Sequence, residues 1–412
     1  MQCSARLGPS LGLRPVAARP QTALHAAPRL QSAAQPPRQL GAAQPALPQQ
    51  PRRPRQQAAQ RHTVVASAAA GSAPVVAAAA AEPAGGNNAL KVTAYVFLWY
   101  AFNIVFNILN KSTLNIFPAP WFLATFQLMA SAAFMCVLWA LRLQPVPQVS
   151  WADIKALAPV ALFHTIGHVS ACVSFSQMAV SFAHVVKAAE PVLSVVLAKV
   201  ILNESTPVYV WMSLLPIIAG CSLAAMKEVS FAWSGFNNAM ISNVGMVLRN
   251  IYSKKFLGQL KLKLDGINLF AILSIISIFY CLPCALVVEG FKGGVNQWAP
   301  MWDAAVLASG GLAAWIKLLI FGGIFYHLYN QASYMVLDQG ISPVTFSVGN
   351  TMKRVAVVVS SVLFFKNPVS MMNWVGSMIA MLGTGLYSLA KQKATDDAKK
   401  AKAAAAAQGK AA

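Results

Sequence analysis

The chain changes character near residue 90. From there on, apolar residues run in long stretches separated by short polar or proline-containing segments such as FPAPW, QPVPQ and KNPVS. Ten of the stretches approach the roughly twenty residues that an α-helix needs to cross a bilayer. The pattern therefore predicts an all-α membrane protein with ten transmembrane helices. The predicted spans are residues 92–114, 121–142, 154–177, 180–202, 207–227, 235–254, 267–289, 312–337, 342–365 and 370–390.

Two segments of this body resemble each other. VSFAHVVKAAEPVLSVVLAKVILNESTP (180–207) is similar to ISPVTFSVGNTMKRVAVVVSSVLFFKNP (341–368), an offset of 161 residues. The offset is about half of the body, which predicts five helices in each half, about 89–230 and 231–391. Because five is odd, the halves must be inverted in the membrane. Two inverted five-helix repeats with a substrate site near the midplane are a common plan for secondary transporters.

The two ends of the chain have a different composition. Residues 1–88 contain no lysine, no acidic residue before Glu82, and nine arginines before residue 62. An arginine-rich, acid-poor leader is typical of an organellar transit peptide, with removal expected near VVASAAAG (64–71). A disordered cytosolic tail is the alternative, but such tails usually mix acids with bases. Residues 392–412 are predicted to form a disordered basic tail.

Composition agrees with a membrane protein. The chain is 57% hydrophobic and 10% charged, whereas soluble domains carry about 25% charged residues. The net charge of +21 does not indicate nucleic-acid binding, because the basic residues cluster in the leader and the tail rather than on a folded face with interleaved aromatics. The lipid bilayer is thus an expected partner and nucleic acid is not. An even number of spans also places both termini on the side whose loops carry more Lys and Arg.

Charges inside the predicted spans are costly, since each costs about 2.5–3.5 kcal/mol at the bilayer centre. Lys317, near the start of its span, is expected to reach the interface. Glu190 follows Lys187 by three residues on one helix face, so the two could neutralise each other. Otherwise an anion from outside, such as phosphate, would offset the excess of positive charge. The charged or polar candidates are His164, His168, His184, Lys187, Glu190, Arg249, Lys317, His327, Tyr329, Lys353 and Arg354.

Other chemistries receive less support from the sequence. The histidines lack the accompanying carboxylates or thiols of a metal site. The CLPC at 281–284 has redox spacing but lies in an apolar run, where two small hydrophobic residues of a membrane helix are expected. A nucleotide hydrolase is disfavoured because no G-x-x-x-x-G-K-[ST] loop occurs. We therefore expect no cofactor, no metal and no enzymatic activity. A channel stays open and would differ by carrying flux without a counter-substrate.

Five stretches carry a family resemblance over about residues 90–391. The stretches are HTIGHVSACVSF (164–175), HVVKAAEP (184–191), AMISNVGMVLRNIYSKK (239–255), FYHLYNQASYMVLD (325–338) and SVGNTMKR (347–354). They resemble the plastid phosphate translocators of the drug/metabolite transporter superfamily. The resemblance implies an exchanger of inorganic phosphate for phosphorylated C3, C5 or C6 compounds in the plastid inner envelope membrane.

The resemblance also implies roles for individual residues. Lys187, Lys353 and Arg354 fall on the family's phosphate-binding positions. His168 and Tyr329 fall on polar contacts to the ligand, and Arg249 on the residue facing its organic end. Ala171 and Met246 stand where triose-phosphate members carry a hydroxyl residue and Phe. Both are expected to border the pocket and to affect recognition of the non-phosphate end.

The implied activity is exchange of triose phosphate, and of 3-phosphoglycerate or pentose phosphate, for inorganic phosphate. A translocator preferring xylulose 5-phosphate or glucose 6-phosphate is the alternative. A nucleotide-sugar transporter is a more distant one, because it shares the expected fold and a need for cations. The oligomeric state is left open by the sequence.

Overall fold

The structure, a computed structural model, describes residues 86–226, 228–257, 264–339 and 343–411. The predicted transit peptide therefore lies almost wholly outside the described residues. Within them the chain forms thirteen α-helices, a π-helical turn (Leu286–Gly290) and a β-hairpin that pairs Phe291–Lys292 with Val295–Asn296. The α-helices are α1 Gly86–Ile116, α2 Pro120–Ala140, α3 Trp151–Gln177, α4 Val180–Lys187, α5 Glu190–Leu202, α6 Val208–Met212, α7 Leu215–Met226, α8 Trp233–Leu257, α9 Gly266–Ala285, α10 Trp298–Ala308, α11 Leu312–Asp338, α12 Pro343–Phe365 and α13 Met371–Ala411.

Helical structure coincides with each of the ten predicted spans, and the all-α membrane fold agrees with the structure. The count of ten transmembrane helices is not confirmed. Among the described residues, seven helical segments are long and apolar enough to cross a membrane. They are Lys91–Ile116, Pro120–Ala140, Trp151–Gln177, Val208–Met226, Gly266–Gly290, Leu312–Val336 and Val348–Phe365. The spans predicted at 180–202, 235–254 and 370–390 are helical but lie outside this set.

The span predicted at 180–202 is two helices rather than one. Helix α4 ends at Lys187, and α5 begins at Glu190 with Pro191 as its second residue. Proline has no backbone N–H, so Pro191 cannot bond to the carbonyl four residues earlier, which belongs to Lys187. The second copy of the repeat has Met352 at the position aligned with Pro191, and α12 continues through it. Pro191 thus accounts for the helix break that the first copy of the repeat has and the second copy lacks.

Glycines allow two pairs of helices to approach closely, as is common for helices packed in membranes. Between α7 and α13, a Cβ placed on Gly376 would lie 2.7 Å from the Gly220 carbonyl oxygen. Between α3 and α8, a Cβ on Gly245 would lie 2.8 Å from the Gly167 nitrogen. Neither crossing can accept a side chain without moving the helices apart.

Replacing Gly376 by alanine is expected to destabilise the protein by about 1–3 kcal/mol, because overpacking forces backbone shifts. The thermal unfolding midpoint in detergent should fall by several degrees. Gly385 lies on the same helix, and a Cβ placed there meets no atom of the described residues within 4 Å. Gly385→Ala is therefore the matched control and should leave the midpoint unchanged or slightly raised. Equal effects of the two substitutions would contradict the close crossing of α7 and α13.

Two buried hydrophobic clusters adjoin the polar side chains considered below. One contains Phe117, Phe175, Phe182 and Trp315, and it draws on most of the helices. The other contains Trp99, Phe106, Phe270, Tyr326 and Phe346. The outer faces of the helices are also apolar, as at Phe97, Phe279 and Leu363. Such an exterior suits contact with lipid.

The described part of the C-terminal segment is helical. Helix α13 continues as one helix to Ala411. Alanine has the highest helix propensity and lysine is close behind it, which explains why this composition extends the helix. Lys391 Nζ lies 3.8 Å from Glu204 Oε2, and Lys393 Nζ lies 5.6 Å from the ring centre of Tyr209. The first turns of the tail thus pack against the segment that leads into α6.

Candidate functional site

Arg354 bridges the break between α4 and α5. One terminal nitrogen, Nη1, donates to the carbonyl oxygen of Lys187, which Pro191 has left without its helical partner. The other, Nη2, donates to Glu190 Oε2 at 2.8 Å. The carbonyl end of α4 carries partial negative charge, which favours a cation there. The break therefore fixes the position of the guanidinium.

Lys187 connects three helices. Its Nζ donates to Ser242 Oγ on α8 at 2.7 Å, and Ser242 Oγ in turn donates to the carbonyl oxygen of Gly167 on α3 at 2.7 Å. Glu190 pairs with Arg354. The neutralisation of Lys187 by Glu190 considered from the sequence assumed one continuous helix. The turn at Ala188 and Ala189 interrupts that helix, but Glu190 still interacts electrostatically with Lys187.

Lys353 lies beside α1. Its Nζ is 4.7 Å from the ring centre of Trp99, a distance that suits a cation–π contact. Trp99 stacks on Phe346, with ring centres 5.0 Å apart. The hydroxyl of Tyr100, the next residue of α1, donates to the carbonyl oxygen of Gly349. These contacts hold the first half of α12, which includes Lys353, against α1.

Arg249, on α8, is buried beside a histidine. Its Nη1 lies 3.3 Å from His164 Nδ1, and its Nε and Nη2 donate to Asn250 Oδ1 at 3.2 and 3.1 Å. Electrostatic interaction joins Lys187 to both Arg249 and Arg354, and joins Lys353 to Lys187 and Arg354. The structure thus brings four cations from α4, α8 and α12 into one region.

The other predicted ligand contacts lie around Tyr326. The ring centre of His168 is 4.7 Å from that of Tyr326, and the ring centre of Tyr329 is 5.8 Å from it. The rings of His164 and His168 are nearly parallel at 6.2 Å. Nε2 of each histidine is buried without a hydrogen-bond partner among the described residues. Two polar atoms are therefore available to a ligand at this end of the region.

The two predicted specificity positions have different neighbours. Met246 packs against Gly167, where an added Cβ would come within 3.1 Å of its side chain. Ala171 lies one helical turn further along α3 and is buried in the hydrophobic cluster of Phe175 and Phe182. Met246 thus adjoins the residue before His168, and Ala171 lies on the side of Phe175.

A model of the Triose-phosphate Transporter family matches residues 90–388. The chain belongs to this family. Among curated relatives, a chloroplastic xylulose 5-phosphate/phosphate translocator of Arabidopsis thaliana is 55% identical over 296 residues, which cover 72% of this chain and 69% of the relative. A chloroplastic glucose-6-phosphate/phosphate translocator 1 of the same plant is 47% identical, over 73% and 76%. A chloroplastic triose phosphate/phosphate translocator of Spinacia oleracea is 39% identical, over 76% and 75%.

Membership confirms the family that the motifs predicted. The relatives are named as translocators, so the family is one of transporters rather than of enzymes. They differ in the sugar phosphate that their names give. The comparisons therefore establish the class of protein and leave the substrate to be proposed.

Helix α1 also borders the region of the four cations, which the sequence did not lead us to predict. Asn103, Asn107 and Asn110 are all at least 96% buried. Asn107 Oδ1 lies 2.9 Å from His184 Nε2, and Asn110 Oδ1 accepts from Gln127 Nε2 at 2.7 Å. Three amides at i, i+4 and i+7 in an apolar helix form one polar stripe, and that spacing in the sequence could have revealed it.

The rival chemistries gain no support from the described part of the chain. It contains no group of three or more His, Cys, Asp or Glu that could hold a metal ion. Cys281 is buried with its Sγ 3.1 Å from Thr125 Oγ1, whereas Cys284 is exposed, and both are free thiols. His327 Nδ1 lies 2.9 Å from Ser131 Oγ. Its partner is therefore a packing neighbour on α2, away from the four cations.

Proposed function

We propose that this protein is an antiporter that exchanges a phosphorylated C3 or C5 compound, triose phosphate or a pentose phosphate, for inorganic phosphate. The observation that carries the proposal is the meeting of Lys187, Lys353 and Arg354 beside the helix break. They outnumber the carboxylate paired with them, Glu190, by two charges. A phosphate group would supply the missing negative charge.

The three residues suit a phosphate in different ways. A guanidinium offers a planar fork of N–H donors that matches two phosphate oxygens, and an ammonium acts as a compact point charge. Lys187 is held by Ser242, and Lys353 lies over Trp99. Both ammonium groups have donor hydrogens beyond these contacts. We assign phosphate binding to Lys187, Lys353 and Arg354.

The organic end of the substrate is assigned to the neighbouring polar groups. Arg249, His168 and Tyr329 would contact hydroxyl or carbonyl oxygens, and the buried Nε2 of His168 supports this role. Met246 fills space beside Gly167 and is unbranched and flexible. The relative at 55% identity is named for xylulose 5-phosphate and the one at 39% for triose phosphate. Together these points favour a pocket that admits a pentose phosphate as well as a triose phosphate.

Transport would follow the plan of secondary transporters with inverted repeats. Rocking of one half against the other would expose the site alternately to the two sides of the membrane. The chloroplastic relatives and the arginine-rich leader support a place in the plastid inner envelope membrane, with the leader removed after import.

Uptake of labelled phosphate by vesicles containing the purified protein tests this proposal. The vesicles are preloaded with inorganic phosphate, triose phosphate, 3-phosphoglycerate, xylulose 5-phosphate, glucose 6-phosphate or phosphoenolpyruvate. Uptake should be fastest with triose phosphate, xylulose 5-phosphate or phosphate inside. Fastest uptake with glucose 6-phosphate inside would favour the hexose-phosphate alternative, and competition by nucleoside monophosphates would favour a nucleotide-sugar transporter.

A further inference from the structure

Glu190 places a carboxylate inside a site proposed for an anion. Its Oε2 lies 2.8 Å from Arg354 Nη2, and the two side chains are only 7% and 10% exposed. Replacing a buried ion pair with apolar residues is often neutral or stabilising, so such a pair is weak support for a purely structural role. A negative group here would also repel the proposed substrate. Its presence therefore needs an explanation within the transport cycle.

The contacts of Arg354 put Glu190 in competition with a phosphate. Nη1 donates to the Lys187 carbonyl and Nη2 to Glu190, so one hydrogen of each terminal nitrogen is engaged. A guanidinium binds phosphate most strongly when two parallel N–H groups reach two oxygens. A phosphate that binds the edge of Arg354 now facing Glu190 competes with this carboxylate for Nη2, and a phosphate on the remaining N–H groups still meets its negative charge.

The helix break gives Glu190 a stable place when it loses Arg354. Glu190 is the first residue of α5, a helix of thirteen residues. The backbone N–H groups of a first helical turn favour a nearby negative charge. The N-terminus of α5 can thus offset part of the negative charge of Glu190 while a phosphate occupies Arg354.

We propose that Glu190 is an internal counter-anion for Arg354. It holds the guanidinium while the site is empty, and it competes with the substrate phosphate when the site is filled. Resting on the proposed function, this inference makes Glu190 a positioning residue that weakens phosphate binding and speeds phosphate release. Removing its charge should then tighten binding and slow turnover together.

The test uses the full-length protein with Glu190→Gln, Glu190→Asp and, as a matched control, Glu204→Gln. Glu204 is a carboxylate of the same segment that pairs with Lys391 near the surface. Calorimetry measures binding of inorganic phosphate, and vesicles preloaded with phosphate give KM and the maximal exchange rate. Glu190→Gln should bind phosphate at least about tenfold more tightly, because a like charge a few ångströms away is removed. Its KM and maximal rate should both fall, and Glu204→Gln should match the wild type.

The outcomes separate this inference from the proposed function. If the wild-type protein neither binds nor exchanges phosphate, the proposed function fails and the inference with it. If the wild type does both but folded Glu190→Gln binds phosphate no more tightly, the internal counter-anion is disproved. Should Glu190→Gln fail to fold, Glu190→Asp decides. Its carboxylate is withdrawn from Arg354 by one methylene, so it must bind phosphate more tightly than the wild type for the inference to stand.

Discussion

Replacing Lys353 with alanine is expected to lower phosphate exchange at least about thirtyfold. Truncating one partner of a buried, hydrogen-bonded charge pair costs about 2–5 kcal/mol, and each 1.4 kcal/mol is about a factor of ten. The fold should persist, because the substitution removes a contact with Trp99 worth about 0.5–2 kcal/mol and an attraction to Glu190, which keeps its salt bridge with Arg354. Removing a cation beside Arg354 also lowers the repulsion between the two. Labelled phosphate uptake into phosphate-loaded vesicles measures the rate, and the thermal midpoint reports folding.

Lys317 supplies the matched control for this substitution. It also lies within a predicted membrane helix, but its side chain is exposed on α11, away from the four cations. Lys317→Ala should therefore exchange phosphate at the wild-type rate. If Lys353→Ala and Lys317→Ala both exchange phosphate at the wild-type rate, the assignment of Lys353 to phosphate binding is wrong.

The helices were easier to predict from the sequence than the irregularity that shapes the site. Apolar runs of bilayer length located most of the helical segments within a few residues, because a helix in lipid must be long and apolar along its whole length. Helix α10 was not predicted, and α13 continues to Ala411, beyond its predicted end at residue 390. The break at Lys187 was missed, although Pro191 was visible in the sequence. The spans were predicted from apolar length, and apolar length alone does not show where a proline breaks a helix. In a membrane helix a proline is tolerated only where other groups satisfy the freed carbonyl, and here Arg354 does so.

The partners of the charges depended on tertiary structure that local spacing could not give. Lys187 and Glu190 are three residues apart, which would pair them on a continuous helix. The break interrupts that helix, and Glu190 forms its salt bridge with Arg354, 164 residues away in the chain, while it still interacts electrostatically with Lys187. The sequence therefore showed which charged residues lie within the spans, but it did not show which residue each of them pairs with. The stripe of Asn103, Asn107 and Asn110 is a local pattern that the sequence shows. The predicted site contained charged residues, histidines and a tyrosine, and it did not include neutral amides.

Vesicles that contain the protein but no internal phosphate compound are expected to take up labelled phosphate at no more than about one hundredth of the rate of preloaded vesicles. In the empty site the single charge of Glu190 is shared among Lys187, Lys353 and Arg354, which leaves an excess of two positive charges. An uncompensated buried charge has an effective penalty of several kcal/mol, and about 2.7 kcal/mol already corresponds to a hundredfold change in rate. The empty protein should therefore close around its site only rarely. Exchange would then be one for one, without a metal, ATP or an ion gradient.

The contrast between empty and loaded vesicles also distinguishes the mechanism from its rivals. A channel or a uniporter would fill empty and preloaded vesicles at similar initial rates, since neither requires an anion on the return step. Vesicles loaded with sulfate control for bulk negative charge, because only an anion that fits beside Lys187, Lys353 and Arg354 should support uptake. Equal uptake with and without internal phosphate would leave Lys187, Lys353 and Arg354 as a binding site for phosphate but would refute charge repulsion as the cause of obligatory exchange. Uptake restricted to loaded vesicles would instead link the strictness of exchange to the charges around the break between α4 and α5.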